Sequence, residues 1–503
     1  MKRNRLLSLF FTICCLSATV NAKTGYEIKV NVSGLKDSTI LLAHYFAKET
    51  LNFIKDDSAK LNRKGEAVFS KSKPLAGGMY IIILPKKKYF DLFIGDNQQF
   101  SVEADTTNLV KNIKFKGSEE NNLFYDYRNL ITGKTSQMKS LNERLAKATP
   151  IQKDSIIKAK TAINNEVKDY IRQSIDQHKG TFFSTWLKAL QEIEIPPLPR
   201  DAKGNVTDST FQYKYWHNHF FDNFDLADVR LLHTPFYEHK VIDYLDKAAI
   251  QHPDSIQKEA DLLMSKIGSN EEVRRYMLGT IYNHLAEKAN QFVGMDAPFV
   301  YFAEKYYLPQ ATWADAAFRE NLVKDIAKIK PNLIGKEAPN LPLAEIPVEH
   351  FLTAKTDTVA RKSLQIGRMM TLKDVKAKFT VLAFWEVDCG HCQKEIPLLY
   401  DSIYPIIRDK DVKIVAIHML TGVEAKAKWV DFVNNHKLYD WINATPLEYT
   451  YKETYNILST PTIYLLDENK HILSKRIGVK QLPQVIENEI KRSNNNHFTL
   501  TNK

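Results

Sequence analysis

Cys389-Gly390-His391-Cys392 sets two thiols three positions apart, where an apolar run gives way to a helical pattern. Residues 380–385 (Thr-Val-Leu-Ala-Phe-Trp) have the length and character of a buried strand. Downstream, Ile396, Leu399, Tyr400, Ile403 and Ile406 recur at helical spacing and predict a helix over 390–409. Cys389 then lies at a helix N-terminus, with Cys392 one turn in. Unsatisfied N–H groups and the helix dipole favour an anion there. A thiolate is an anion, so the position lowers a thiol pKa and makes a nucleophile. The chemistry expected is dithiol–disulfide exchange. Half a zinc knuckle and a static disulfide are the competing readings. Zinc asks for three or four ligands, and no second pair at this spacing exists. A disulfide closing so short a loop stabilises little.

A chain of 503 residues exceeds one ordinary domain. Lys2, Arg3 and Arg5, then an apolar stretch over 6–20 and Val20-Asn21-Ala22, form the pattern of a signal peptide cleaved after Ala22. That apolar stretch is short for a membrane span, and no later run is long enough, so no stable span is expected after cleavage. The expected location is outside the cytoplasm, in the periplasm or cell envelope. Cleavage removes three basic and no acidic residues, lowering the formal charge from +11 to +8. It also removes Cys14 and Cys15, leaving Cys389 and Cys392 as the only cysteines. A chain that exports one such pair is not using disulfides as staples. The basic residues are dispersed among acids, and Lys86-Lys87-Lys88 reads as a solvated turn, so no nucleic-acid partner is expected.

The elements around the pair fall into three domains after the signal segment 1–22. Over 23–116, period-two segments at 26–32, 39–45, 67–69, 79–84, 89–94, 99–103 and 113–115 alternate with turns and predict an all-β sandwich. Over 117–331 the period becomes helical, with long helices predicted at 151–177 and 182–193 and a stop at Pro196-Pro197. The aromatic run Tyr213, Tyr215, Trp216, Phe220, Phe221 and Phe224 reads as helix-packing core, a peptide-binding surface being the sharper alternative. His217 and His219 are two apart on a helix and face apart, so they do not form a metal site. Over 332–493, strands predicted at 378–385, 411–418, 462–467 and 471–477 alternate with helices, which implies an α/β sheet covered on both faces. Residues 494–503 read as a disordered tail.

Several of these residues together resemble the secreted thioredoxin-fold modules of the TlpA/ResA-like class. They are Gly335-Lys336-Glu337-Ala338-Pro339, Phe384-Trp385 four residues before Cys389, Glu395 with Pro397, and Ser459-Thr460-Pro461-Thr462. The two preceding domains resemble the uncharacterised β-sandwich and helical domains found in the same architecture. The resemblance implies a C-terminal thioredoxin fold with Cys389 attacking and Cys392 resolving. It implies a cis Thr460–Pro461 bond facing the thiols, and makes Trp385, Thr460 and Pro461 the substrate-binding residues. Glu395, one turn after Cys392, takes and returns its proton, while Pro397 kinks the helix. His391 is expected to stabilise the adjacent thiolate, and Asp388 to oppose it. No cofactor or metal is called for.

The function expected is an exported thiol–disulfide oxidoreductase that reduces protein disulfides and is recycled by a membrane-bound thiol reductant. Gly390-His391 resembles protein disulfide isomerase, so isomerase or oxidase is the nearest alternative. A binding protein using the thioredoxin module as a docking platform is the alternative from another class.

Overall fold

The computed structural model describes residues 25–48, 53–364 and 366–500; the expected signal segment lies outside them. The chain divides into two compact units, Met1–Asp243 and Tyr244–Lys503.

The first unit opens with eight strands: β1 (Tyr26–Ser33), β2 (Thr39–Tyr45), β3 (Phe53–Lys60), β4 (Glu66–Lys71), β5 (Gly78–Ile83), β6 (Tyr89–Ile94), β7 (Gln99–Asp105) and β8 (Lys114–Lys116). They form two four-stranded sheets, ordered β4-β1-β7-β8 and β3-β2-β5-β6. Along β1, Tyr26, Ile28, Val30 and Val32 are buried and the residues between them are not, as one half-buried face requires. The sequence pattern does not reveal β3. Its Lys55, Asp56, Asp57 and Lys60 are the charges that blunt an edge strand, and β3 is an edge. Ser118 ends the sheets, and the helices Glu119–Ala146 and Pro150–Gln177 follow. The Asn121 amide fixes the first of them by bonding both main-chain groups of Phe93, at 2.7 and 2.8 Å.

The aromatic helix Phe211–His219 differs from its expected role. It buries no residue; only Phe220 and Phe224, beyond its end, enter the core. His219 bonds Asp222 at 2.6 Å.

The second unit combines further helices with a seven-stranded sheet. Its helices include Pro253–Lys266, Glu271–Gln291, Asp296–Phe302 and Ala316–Ile329. Its strands are β9 (Leu343–Glu345), β10 (Arg368–Met370), β11 (Phe379–Trp385), β12 (Val412–His418), β13 (Ile442–Pro446), β14 (Thr462–Leu466) and β15 (Ile472–Lys475), ordered β10-β9-β13-β12-β11-β14-β15. β11 pairs with β12 in parallel and with β14 antiparallel. All seven β11 residues are buried, which is what a central strand covered on both faces demands. Val381, Ala383 and Trp385 join one core with Cys392, Ile396 and Trp429. Leu382 and Phe384 join the other with Ile417, Tyr464 and Leu466. The sequence pattern misses β9, β10 and β13: two are three residues long, and the third carries Asn443 and Pro446. The closing helix, Leu482–Leu500, runs past Ser493, where its apolar spacing stops.

Candidate redox site

β11 delivers its C-terminal end to the turn carrying Cys389. Regular helix begins at Cys392, two residues later than the apolar spacing suggests. The turn is held from within. Cys389 N–H donates to the Glu386 carbonyl at 3.2 Å, and Gln393 N–H reaches back to the Cys389 carbonyl at 3.0 Å. The helix Cys392–Leu398 contains Pro397 and passes straight into a wider π turn, Leu399–Ile403. Proline has no N–H and crowds the preceding turn, so the ladder cannot continue unbroken.

The two sulfurs occupy different surroundings. Cys389 is half-buried and Cys392 fully buried. The Cys389 thiol donates to the Thr460 carbonyl at 3.2 Å, and Cys392 N–H points at Cys389 Sγ at 3.4 Å. Burial pushes the Cys389 thiol up, but hydrogen bonds from the Thr460 side chain, from Cys392 and from the His391 main chain outweigh it and leave its pKa lowered. Burial dominates at Cys392 and pushes its thiol up to about 12, against a lowering bond from the Glu386 main chain. One thiol is set to ionise and the other to stay protonated.

This asymmetry predicts selective alkylation. In the reduced protein, iodoacetamide should label Cys389 at neutral pH, and the rate should level off below the ordinary thiol pKa of about 8.5. Cys392 should react more than about a hundredfold more slowly, because thiolate fraction and access both limit it. Mass spectrometry of the labelled peptide reads the ratio; comparable labelling of both sulfurs would refute the assignment.

Other residues singled out in the sequence fall as follows. Thr460 and Pro461 are joined by a cis bond and face Cys389 through the Thr460 carbonyl. The Glu395 main chain bonds the His391 carbonyl at 2.9 Å, in the first turn below Cys392, and its side chain is half-buried. His391 is exposed. Trp385 requires a correction. It is 0 % exposed, packed on His418 at 5.1 Å and Phe432 at 5.0 Å, so it supports the site from beneath and offers no surface to a substrate. As the last residue of β11, a strand covered on both faces, it packs into the same core as Val381, Ala383 and Cys392.

Sequence reasoning missed two nearby lysines. Lys428 pairs with Asp388 at 2.9 Å, so the anion next to Cys389 is partly neutralised. Lys452 reaches Glu386 at 3.3 Å. Neither lysine is near the thiols in sequence, and no motif signals them. Among the described residues, no group of three or more His, Cys, Asp or Glu is placed to hold a metal ion. No helix among them is long and apolar enough to cross a membrane.

Comparison with known proteins agrees with this geometry. Residues 334–475 match the AhpC/TSA family. Residues 26–124 and 151–336 match two domains of unknown function, DUF4369 and DUF5106. The thiol-disulfide oxidoreductase ResA of Bacillus cereus is 29% identical over 154 residues, 30% of this chain and 74% of that protein. The sporulation thiol-disulfide oxidoreductase A of Bacillus subtilis is 30% identical over 112 residues, 22% of this chain and 67% of that protein. A solved domain of a possible thiol-disulfide isomerase from Cytophaga hutchinsonii is 33% identical, with 32% of this chain and 97% of that one covered and a TM-score of 0.26. With its paired thiols at the end of a buried central strand, this chain belongs to the thioredoxin-fold thiol-disulfide oxidoreductases.

Proposed function

We propose that this enzyme is an exported reductase of protein disulfides, working through Cys389 and Cys392. The observation that carries its redox chemistry is the asymmetry of the pair: a half-buried Cys389 with a lowered pKa, and a buried Cys392 whose thiol is pushed up. Cys389 thiolate attacks one sulfur of a client disulfide. The client S–S bond breaks, a mixed disulfide forms on Cys389, and the leaving client thiolate takes a proton from solvent. Cys392 gives up its proton and attacks Cys389 Sγ, which releases the second client thiolate and closes the Cys389–Cys392 disulfide. Two electrons pass from the dithiol to the client.

The residues around the pair have assignable parts. The Thr460 main chain lies against Cys389 Sγ and offers an extended client strand a pairing partner beside the sulfur, with Pro461 completing that surface. Glu395, one turn below Cys392, is the group that accepts its proton and returns it. His391, when protonated, adds a positive charge beside the Cys389 thiolate.

Export rests on the signal-like segment and on a cysteine inventory reduced to one pair once that segment is removed. Outside the cytoplasm the oxidised pair has no thioredoxin pool to reduce it, so a membrane-bound thiol reductant completes the cycle. The Gly390-His391 dipeptide favours a second reading, isomerase or oxidase. Two measurements test the proposal. Reduced protein should precipitate insulin by cutting its disulfides; the absence of that activity would sink the redox reading. Equilibration with a glutathione couple should place the potential near thioredoxin's, about −270 mV; a value near about −180 mV would transfer the assignment to isomerase.

A further inference from the structure

The unit Tyr244–Lys503 contains a cleft of about 380 Å³ beside the proline loop. One wall comes from the helices Glu271–Gln291, Asp296–Phe302 and Ala316–Ile329, which contribute the rings of Tyr282, Phe299 and Phe318. The other wall comes from the thioredoxin part, through Leu458 and Arg476. Its volume is at the lower end of the range for ligand pockets, about 300–1,000 Å³, so it suits one large side chain rather than a folded surface.

Three features give the cleft a chemistry. Its aromatic wall favours an apolar or aromatic guest. Asp296 also lines it and is only 4 % exposed. The Asp296 Oδ2 atom pairs with Lys475, but Oδ1 is buried with no hydrogen-bond partner. A buried acceptor left alone is costly, so a guest bringing an N–H or O–H donor gains there. Finally, Leu458 is 70 % exposed and stands two residues before Thr460, whose carbonyl meets Cys389 Sγ. Even fully extended chain advances only roughly 3.3 Å per residue, and this loop bends at Ser459 and Thr460, so the cleft rim is no more than about 7 Å along the loop from that contact.

We propose that this cleft is a second client-binding site, which takes a tryptophan side chain of the substrate protein roughly two to four residues from the cysteine held on Cys389. The client segment lies along the Thr460 main chain, continues past Leu458, and seats the indole against Tyr282, Phe299 and Phe318. Indole is large, apolar and donor-only at its N–H, which matches aromatic walls with a lone carboxylate oxygen. The helices of this unit thereby choose among clients, while the thiols carry out the exchange. The inference rests on the protein-disulfide reading above.

Disulfide-linked peptide dimers test it. Each pair is alike except for Trp or Gly three residues from the cysteine, with one pair for each side of it. The reduced full-length protein should act on the Trp peptide of one pair with kcat/KM about tenfold higher than on its Gly twin, the scale of discrimination by an apolar pocket. Ala289→Trp, which fills the cleft, should bring that preference below about twofold. Phe318→Ala opens the wall and should do the same, providing a second reading if the filled variant does not fold. The rate with glutathione disulfide, too small to reach the cleft, is the internal reference for active protein. Equal rates for both peptides in every wild-type pair would overturn the inference, as would a preference that survives Ala289→Trp. A wild-type protein unreactive with glutathione disulfide as well as with the peptides would overturn the redox reading itself.

Discussion

Cys389→Ala should lower insulin reduction by at least about a thousandfold, to the background set by the chemical reductant, because the attacking sulfur is gone and nothing replaces it. Cys392→Ser should fail differently. The first step still proceeds, since Cys389 keeps its main-chain hydrogen-bond donors and its contact with Thr460. The second step stops, since a serine hydroxyl cannot displace a thiolate from Cys389. The variant should therefore accumulate mixed disulfides, seen as reducible high-mass species on a non-reducing gel. Adding Cys389→Ala to it should abolish them. Serine replaces a side chain that is 0 % exposed, so its hydroxyl loses water; one buried hydroxyl costs about 1–3 kcal/mol, which a melting curve of the variant reports. Residual insulin reduction in Cys389→Ala comparable to wild type would remove the dithiol mechanism, and a Cys392→Ser variant that trapped no partner would remove protein disulfides as substrates.

How much of this was legible in the sequence depends on how local each determinant is. Cys389, Cys392 and Pro397 sit on one strand–turn–helix segment, where apolar spacing alone fixes the order of elements. Pro461 is far away in sequence, and the resemblance of Ser459-Thr460-Pro461-Thr462 to a known loop brought it in, not any pattern of spacing. The central strands β11 and β12 read plainly because strands covered on both faces are continuously apolar. β3 did not, because an edge strand trades apolar residues for charge, and β13 did not, because it is five residues long with polar interruptions. The same resemblance is what points to Trp385 as a substrate-binding residue. It ends a strand covered on both faces, so its ring lies in the core whichever face it takes. Lys428 and Lys452, which answer Asp388 and Glu386, are surface charges brought in by other elements, and no one-dimensional pattern marks them.

The same limit hides the pair that joins the helices of the second unit to its sheet. Lys475 is on β15 and Asp296 opens the helix Asp296–Phe302; their side chains are 4 % and 6 % exposed, and they form an ion pair. The Lys475 ammonium also donates to the Asn332 carbonyl. Burial lowers the Lys475 pKa, and Asp296 opposes that shift by holding the charged form. Removing one partner strands the other in a site without water, a loss typically of about 3–5 kcal/mol. Asp296→Ala is therefore expected to raise amide exchange along the β14–β15 ladder, where Tyr464 pairs with Lys475, by about a hundredfold to several thousandfold. Lys475→Met should do likewise. The double replacement Asp296→Leu with Lys475→Met should recover most of the loss, because a well-packed apolar pair of similar volume avoids the desolvation cost that the ion pair must offset. Recovery in the double variant would mean that the pair fixes how the helices seat on the sheet edge more than it adds stability. If exchange in the double variant is no slower than in the single ones, the coupling between these residues is not the one that the buried geometry implies.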